Sequence, residues 1–397
     1  MRKIICAALL LFLMCGCSEG GEVQTLNVYN WGQYISDGSE GTLNVNEEFE
    51  NYCLEEFGEK VKVNYTTYAS NEDMYNKIKS GSASYDVIIP SDYMIERMIE
   101  EDMLLKLDFD NIPNYEYVNE AFRNLFFDVN DEYSVPYTYG MVGIIYNDTM
   151  VDEEDIGGWD LLWNEKYDGR ILQFNNPRDA FGTAIYSEGG DVNSTDAGVW
   201  ERAAQKLKKQ KPLIQSYVMD EIFNKMKNGS AAIAPYYAGD YLTMYDSNDS
   251  LQFYYPAEGT NVFVDSMCVP SCARNKELAE RYINFMLSDD IAIANAEYIA
   301  YSSPHTNVTT NEGYIADMMD WNENAIDILY PENLDIKTSF YENLDQDTLM
   351  LQNSLWETLK IENSVEPWIY ITSCSIILLL AGILLYNYIL KRIRNNY

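Results

Sequence analysis

Tyr85-Asp86-Val87-Ile88-Ile89-Pro90-Ser91-Asp92-Tyr93 is the stretch on which the fold turns. Its short apolar run lies between a Ser-rich segment and a proline, which reads as a buried strand. The strand empties into the polar loop Ser91-Asp92-Tyr93, and open α/β sheets place ligands where strands end in such loops. Working upstream, residues 26–29 read as a strand entering Asn30-Trp31-Gly32-Gln33-Tyr34. Residues 45–57 carry apolar positions at helical spacing, residues 61–65 alternate as a second strand, and residues 71–80 form an amphipathic helix. Asn71, Glu72 and Asp73 favour the N-terminal end of that helix.

Downstream, residues 135–146 are mostly β-branched, aromatic or Gly, and their character changes around Gly140, as in a strand crossing between two lobes. Residues 171–174 followed by 175–179 repeat the pattern of strand then polar loop, and residues 231–234 do so again before Pro235-Tyr236-Tyr237-Ala238-Gly239-Asp240. Residues 261–269 read as a second crossing. The alternation of strands and helices, with no internal repeat, predicts an α/β architecture. Two crossings make the lobes discontinuous and hinged, a layout that closes around a ligand.

Composition narrows the function. The chain has 397 residues, 47% of them hydrophobic, which supports folded domains rather than disorder. With 27 Lys plus Arg against 63 Asp plus Glu, its net charge is −36, which argues against sequence-independent nucleic-acid binding. One histidine, His305, leaves little for a multi-histidine metal site or His-based catalysis and reads as a polar loop residue. Asp152-Glu153-Glu154-Asp155 reads as a solvated loop. Cys268 and Cys272 form the close cysteine pair of the body and read as free thiols, with too few neighbouring ligands for zinc.

Both ends look membrane-directed. Arg2 and Lys3 precede an apolar stretch over residues 4–14, a signal-peptide layout. Residues 1–17 end in Met14-Cys15-Gly16-Cys17, which resembles a lipobox with Cys17 as the lipid-modified residue; the alternative is an ordinary signal cleaved nearby. Either sends the body out of the cytoplasm. Residues 368–390 are 23 positions without a charge. As a helix they reach about 35 Å, enough to cross a bilayer. The basic tail 391–397 would remain cytoplasmic.

The ordered set of Tyr29–Tyr34, Thr67–Tyr75, Tyr85–Tyr93, Val135–Gly140, Val264–Ser266 and Tyr298–Tyr301 resembles the spermidine/putrescine-binding family of periplasmic-type solute receptors, which serve ABC importers. It spans roughly residues 26–361 and excludes the C-terminal apolar segment. The resemblance implies a two-lobed periplasmic-binding-protein-like (type II) fold with hinge crossings. Lobe 1 would comprise residues 24–138 and 265–303, and lobe 2 residues 139–264 and 304–365. It also implies an interlobe pocket, an aromatic box around a methylene chain, and carboxylates at the ammonium ends. Its implied partners are a polyamine and ABC permease subunits, without a cofactor.

On that match, Trp31 and Tyr34 are the first aromatic contacts, Ser91 and Tyr93 lie on the second loop, and Tyr301 is a wall residue. Tyr237 and Phe263 stand at positions that are commonly Trp, Asp265 is the central amine-binding carboxylate, and Asp179 is an acidic ligand. Asn176 replaces a frequent carboxylate, and Glu342 stands where an amide is usual, so charge is moved around the pocket.

The chemistry fits a polycation. Ammonium groups over aromatic faces gain about 0.5–2 kcal/mol each, and charge-assisted bonds to carboxylates offset their lost hydration. An acidic body also steers polycations inward, less so at high salt. Other readings stay open residue by residue. Trp31, Tyr34 and Tyr93 suit loop aromatics capping a core, Asp265 a chain turn, and Asp179 beside Arg178 a surface ion pair. Tyr236-Tyr237 suits a ferric-ion receptor. Asp240 with Asp265 suits the acid and base of an extracellular hydrolase, although no Gly-x-Ser-x-Gly elbow is present.

Overall fold

The computed structural model describes residues 23–331 and 334–361, together with Ser375, Ile376, Leu379 and Gly382. The expected signal and lipobox at residues 1–17, with Cys17, and the basic tail 391–397 lie outside the described residues; so does the expected span 368–390, apart from those four positions. Among the described residues no helix is long and apolar enough to cross a membrane.

Parallel strands β1 (Gln24–Trp31) and β2 (Val61–Tyr68) are joined through α1 (Val45–Phe57). Asn44 caps α1 by accepting from the Glu47 N–H, and Gly58 ends it at φ 67°, a backbone that glycine adopts without steric cost. Ser70 caps α2 (Asn71–Lys79) through the Asp73 N–H. β3 is only Val87–Ile88, shorter than the 85–90 run predicts. Asp86 is the reason: one carboxylate oxygen takes the Asn27 N–H at 2.9 Å and the other takes the Arg274 N–H at 2.8 Å, while Pro90 has no N–H to give. The chain then turns into α3 (Asp92–Glu100).

β4 (Ser134–Asn147) is a single 14-residue strand. Through Met141 it pairs antiparallel with β9 (Thr260–Cys268), and from Val142 onward with β7 (Ile233–Tyr237), with β8 (Leu251–Tyr254) joining at Ile144. β5 (Ile171–Phe174) and β6 (Ile214–Val218) complete the far edge, and β10 (Thr338–Ser339) adds to β9. The sheet order is β2-β1-β3-β9-β4-β7-β5-β6. Between β5 and β8 lie α4 (Pro177–Tyr186), α5 (Ala197–Gln210), α6 (Glu221–Lys227) and α7 (Ala238–Tyr245).

Three apolar clusters form the interior. Leu26, Val28, Phe49, Val87 and Val135 pack on one face of the β1–β3 half, while Tyr29, Met74, Ile88 and Met98 pack on the other. The alternation Val87 to Ile88 is the period-2 pattern of a strand buried on both faces. Trp159, Phe174, Phe181, Trp200 and Ile233 form the third cluster on the β5–β7 half. β4 enters it at Val142, having left Val135 in the first.

Cys53, Cys268 and Cys272 are free thiols. His305 differs from the polar-loop expectation. It is buried, with Nε2 3.0 Å from the Leu287 carbonyl, and it precedes the short helix Thr306–Thr309. The acidic run is held by Lys166, which contacts Asp152 and, at 2.8 Å, Asp155.

Candidate functional site

Between the β1–β3 half and the β5–β7 half lies a cleft with about 880 Å³ of empty space, partly open to solvent. Strand ends and helix starts build its walls: the loop after β1, the first turns of α2, α3, α4 and α7, the loop before α6, and the middle of β9. Glu72, Asp179 and Asp240 each stand in the first turn of a helix, where free N–H groups and the helix dipole stabilise negative charge.

Four carboxylates each accept a bond from one phenol. Asp265 takes the Tyr34 hydroxyl at 2.7 Å, and that hydroxyl also lies 2.5 Å from Thr138 Oγ1. Asp240 accepts from Tyr301 at 2.8 Å, Asp179 from Tyr237 at 2.6 Å and Glu72 from Tyr93 at 3.1 Å. Burial pushes Asp265 up to about 6, with the neighbouring Ser91 and Tyr34 hydroxyls working against it, and pushes Asp240 up to about 7. Burial also raises Asp179 and Glu72, partly offset by their hydrogen bonds. Asp265 Oδ1 is buried and has no hydrogen-bond partner. Leaving such an acceptor unmade costs free energy, of the order of 1–3 kcal/mol or more for a charged group.

Asn176 caps α4 through the Asp179 N–H at 2.8 Å, and its Nδ2 donates back to Asp179 Oδ2 at 2.7 Å. Pro177 follows at the first helical position, where a missing N–H costs nothing. Asn71 Nδ2 donates to Ser91 Oγ at 3.0 Å and to the Tyr93 hydroxyl at 3.1 Å, fixing the second loop. Asp92 is fully buried, and its oxygens accept from the Tyr93 and Val264 N–H groups, so it ties α3 to β9.

The aromatic walls are packed to contact. Trp31 lies on Tyr68 at 4.5 Å between ring centres, and its Nε1 donates to the Ile89 carbonyl at 2.9 Å. Tyr34 meets Tyr301 edge-on at 5.2 Å, Tyr301 meets Phe263 at 6.0 Å, and Phe263 meets Tyr237 at 5.3 Å. Glycines make the approach possible. A Cβ on Gly239 would fall 2.3 Å from Tyr301 Cδ2, and one on Gly182 would fall 2.2 Å from the Tyr341 hydroxyl oxygen.

Ten of the eleven residues singled out in the sequence line this cleft: Trp31, Tyr34, Ser91, Tyr93, Asn176, Asp179, Tyr237, Phe263, Asp265 and Tyr301. Glu342 does not. Its side chain is exposed, its N–H donates to Asn193 Oδ1 and its carbonyl accepts from Arg178, while the preceding residue, Tyr341, lines the cleft. Glu72, Arg178 and Tyr341 are wall residues that sequence reasoning missed. For Glu72 a signal existed, since an acid in a helix's first turn beside a ligand loop is placed to face it. Asp179 and Arg178 are both buried, so the surface ion-pair reading fails. Tyr236 and Tyr237 line the cleft too, but burial holds both phenols well above their usual range, and the Tyr237 hydroxyl donates a hydrogen bond to Asp179. Protonated phenols are poor ligands for ferric ion, which disfavours the iron reading.

Known proteins agree with this architecture. Residues 47–319 match the family described as bacterial extracellular solute-binding protein. A spermidine/putrescine-binding periplasmic protein of Salmonella typhimurium is 32% identical over 302 residues, covering 75% of this chain and 83% of that protein. A putrescine/cadaverine-binding protein of Pseudomonas aeruginosa is 27% identical over 317 residues, covering 77% and 85%. Among solved structures, the spermidine/putrescine ABC transporter substrate-binding protein of Streptococcus pneumoniae is 35% identical with a TM-score of 0.67, covering 85% of this chain and 99% of its own. The fold is the mixed α/β fold of periplasmic binding proteins, and the family binds solutes rather than catalysing reactions, which removes the hydrolase reading of Asp240 and Asp265. A cleft lined by acids and aromatic rings, on a chain matched this widely, makes the protein a member of the bacterial extracellular solute-binding protein family, alongside its spermidine/putrescine-binding members.

Proposed function

We propose that the chain is an extracytoplasmic polyamine receptor that captures putrescine, spermidine or a related amine and delivers it to an ABC permease. The observation that carries this reading is Asp265 Oδ1, a buried acceptor without a partner in a cleft walled by further acids and aromatic rings. An ammonium supplies the missing donor and charge, and methylenes fill the space between Tyr34, Phe263, Tyr237 and Tyr301. Asp265 holds one ammonium, and Asp179, Glu72 and Asp240 are available for others. The names of the relatives support the ligand class.

Residues 24–138 with 265–303, and 139–264 with 304–365, act as two lobes that close on the ligand by flexing at β4 and β9. Cys17 carries a lipid, and the uncharged segment 368–390 spans the membrane with the basic tail inside, keeping the receptor at high effective concentration beside its permease. Calorimetric titration with putrescine, cadaverine, spermidine and spermine tests the ligand class, with an amino acid, a sugar and ferric citrate as controls. Saturable micromolar or tighter binding of an amine is expected; no amine binding by folded protein refutes the reading.

A further inference from the structure

Strand β9 presents a row of side chains to the cleft. Asn261, Phe263 and Asp265 line it, whereas Val262 and Val264 between them do not, which is the alternation a strand imposes. The row reads acceptor, ring, acceptor, and both acceptors are unfinished. Asn261 is only 3% exposed and Asp265 4%, and the Oδ1 of each is buried without a hydrogen-bond partner. Among the described wall residues no other side-chain acceptor is left in that state. A buried acceptor without a donor is costly, and in a native structure each one needs a cause. Asp265 finds its donor in the ammonium of the proposed ligand; among the described residues nothing supplies one for Asn261.

The fold also fixes where Asn261 stands. It pairs with Ser339 of β10, and Tyr341, two residues further on, meets α4 at Gly182. α4 carries Asp179, so Asn261 lies toward the end of the cleft held by Asp179, Glu72 and Asp92, on all three of which the field of Arg178 also acts. The amide brings no charge of its own; it adds an acceptor beside charge that these groups supply. Spacing then sets the ligand. At about 3.4 Å per residue, positions four apart on one face of a strand stand about 13 Å apart. Nitrogens held at both acceptors, with the side chains leaning inward, are therefore about 10 Å apart or more. A staggered amine chain advances about 1.25 Å per bond, which puts the nitrogens of putrescine about 6 Å apart and the end nitrogens of spermidine about 11 Å apart. Phe263 stands between the two acceptors, where its ring meets methylenes or a middle ammonium.

We infer that Asn261 is a specificity-determining residue that receives the far amine of a ligand whose other end lies on Asp265, so that the cleft measures length along β9 and favours spermidine over putrescine. The inference rests on the polyamine reading of the cleft. Putrescine satisfies one of the two buried acceptors and leaves the other unmade; spermidine satisfies both.

The test is titration of the full-length protein, wild type and N261L, with putrescine, spermidine and 1,8-diaminooctane, alongside thermal unfolding of each. 1,8-Diaminooctane matches the end-to-end length of spermidine and lacks its middle amine. Wild type is expected to bind spermidine at least tenfold more tightly than putrescine, and 1,8-diaminooctane more tightly than putrescine. N261L, close in size to Asn and without an acceptor, should weaken spermidine and 1,8-diaminooctane by about tenfold, the scale of a hydrogen bond to a charged group, and leave putrescine within about twofold. Should N261L fail to fold, a series of straight-chain diamines on wild type decides, with tightest binding expected near eight methylenes. An equal loss for all three amines in N261L overturns the inference, as does no loss for spermidine, a wild type that prefers putrescine, or a series that peaks at four or five methylenes. Wild type that binds none of the amines refutes the polyamine reading itself, a result distinct from all of these.

Discussion

Acidifying the solution should weaken amine binding steeply, by an amount the buried acids set. In the free protein Asp240 is pushed up to about 7 and Asp265 up to about 6, so below those values each holds a proton that the charged form must lose. An arriving ammonium favours the carboxylates and returns them toward the ordinary range of about 4. The sign follows: affinity is full above both raised values, near pH 8, and falls as pH drops through 7 and then 6. At pH 5 the cost of removing both protons is about 4 kcal/mol, a loss of roughly a thousandfold. Binding should release about 0.6 proton at pH 7 and about 1.4 at pH 6, because the two groups are then partly protonated. Asp179 and Glu72, also raised by burial, act in the same direction. The assay is titration calorimetry in buffers of different ionisation enthalpy, with intrinsic fluorescence as an independent affinity. D240N should cut the release at pH 7 to about 0.1 proton. Affinity that is flat between pH 8 and 5, with heats independent of buffer, would refute the assignment of these carboxylates to the ligand.

Three further outcomes are expected. D265N, measured by calorimetry with putrescine, should cost about 2–5 kcal/mol of binding, since it removes one partner of a buried charge pair. Gly239→Ala drives a methyl to 2.3 Å from the Tyr301 ring, so it should weaken binding and lower stability by about 1–3 kcal/mol in chemical denaturation. Membrane fractionation should recover C17A and the deletion of 366–397 each in the membrane, and the double change in the soluble fraction; release by either change alone would show that there is only one anchor.

Most of the site was legible before the structure because its residues sit at strand ends and helix starts, which leave strong local marks. Asn30 to Tyr34 and Ser91 to Tyr93 follow apolar runs, and Asn176 precedes a proline at the helix start. The length of β3 was not legible, because the Asp86 carboxylate replaces ladder partners through contacts remote in sequence, at Asn27 and Arg274. Glu342 was misplaced for a similar reason. Tyr341 and Glu342 lie in a segment without regular structure, so no periodicity says which side chain enters the cleft. Arg178 looked like a surface partner of Asp179 because adjacency in sequence says nothing of burial; the contacts that hold it come from residues 192, 193 and 342.

The pairing of each cleft acid with its own tyrosine makes the receptor its own optical gauge. Tyr34, Tyr93, Tyr237 and Tyr301 each donate a hydrogen bond to a different carboxylate, drawn from four elements far apart in the chain. A phenol's near-ultraviolet band shifts with the charge of the group it donates to. Ligand entry thus writes four superimposed absorbance changes without any attached dye, and removing one hydroxyl at a time, by Tyr→Phe, reads out which carboxylate each nitrogen of the ligand reaches.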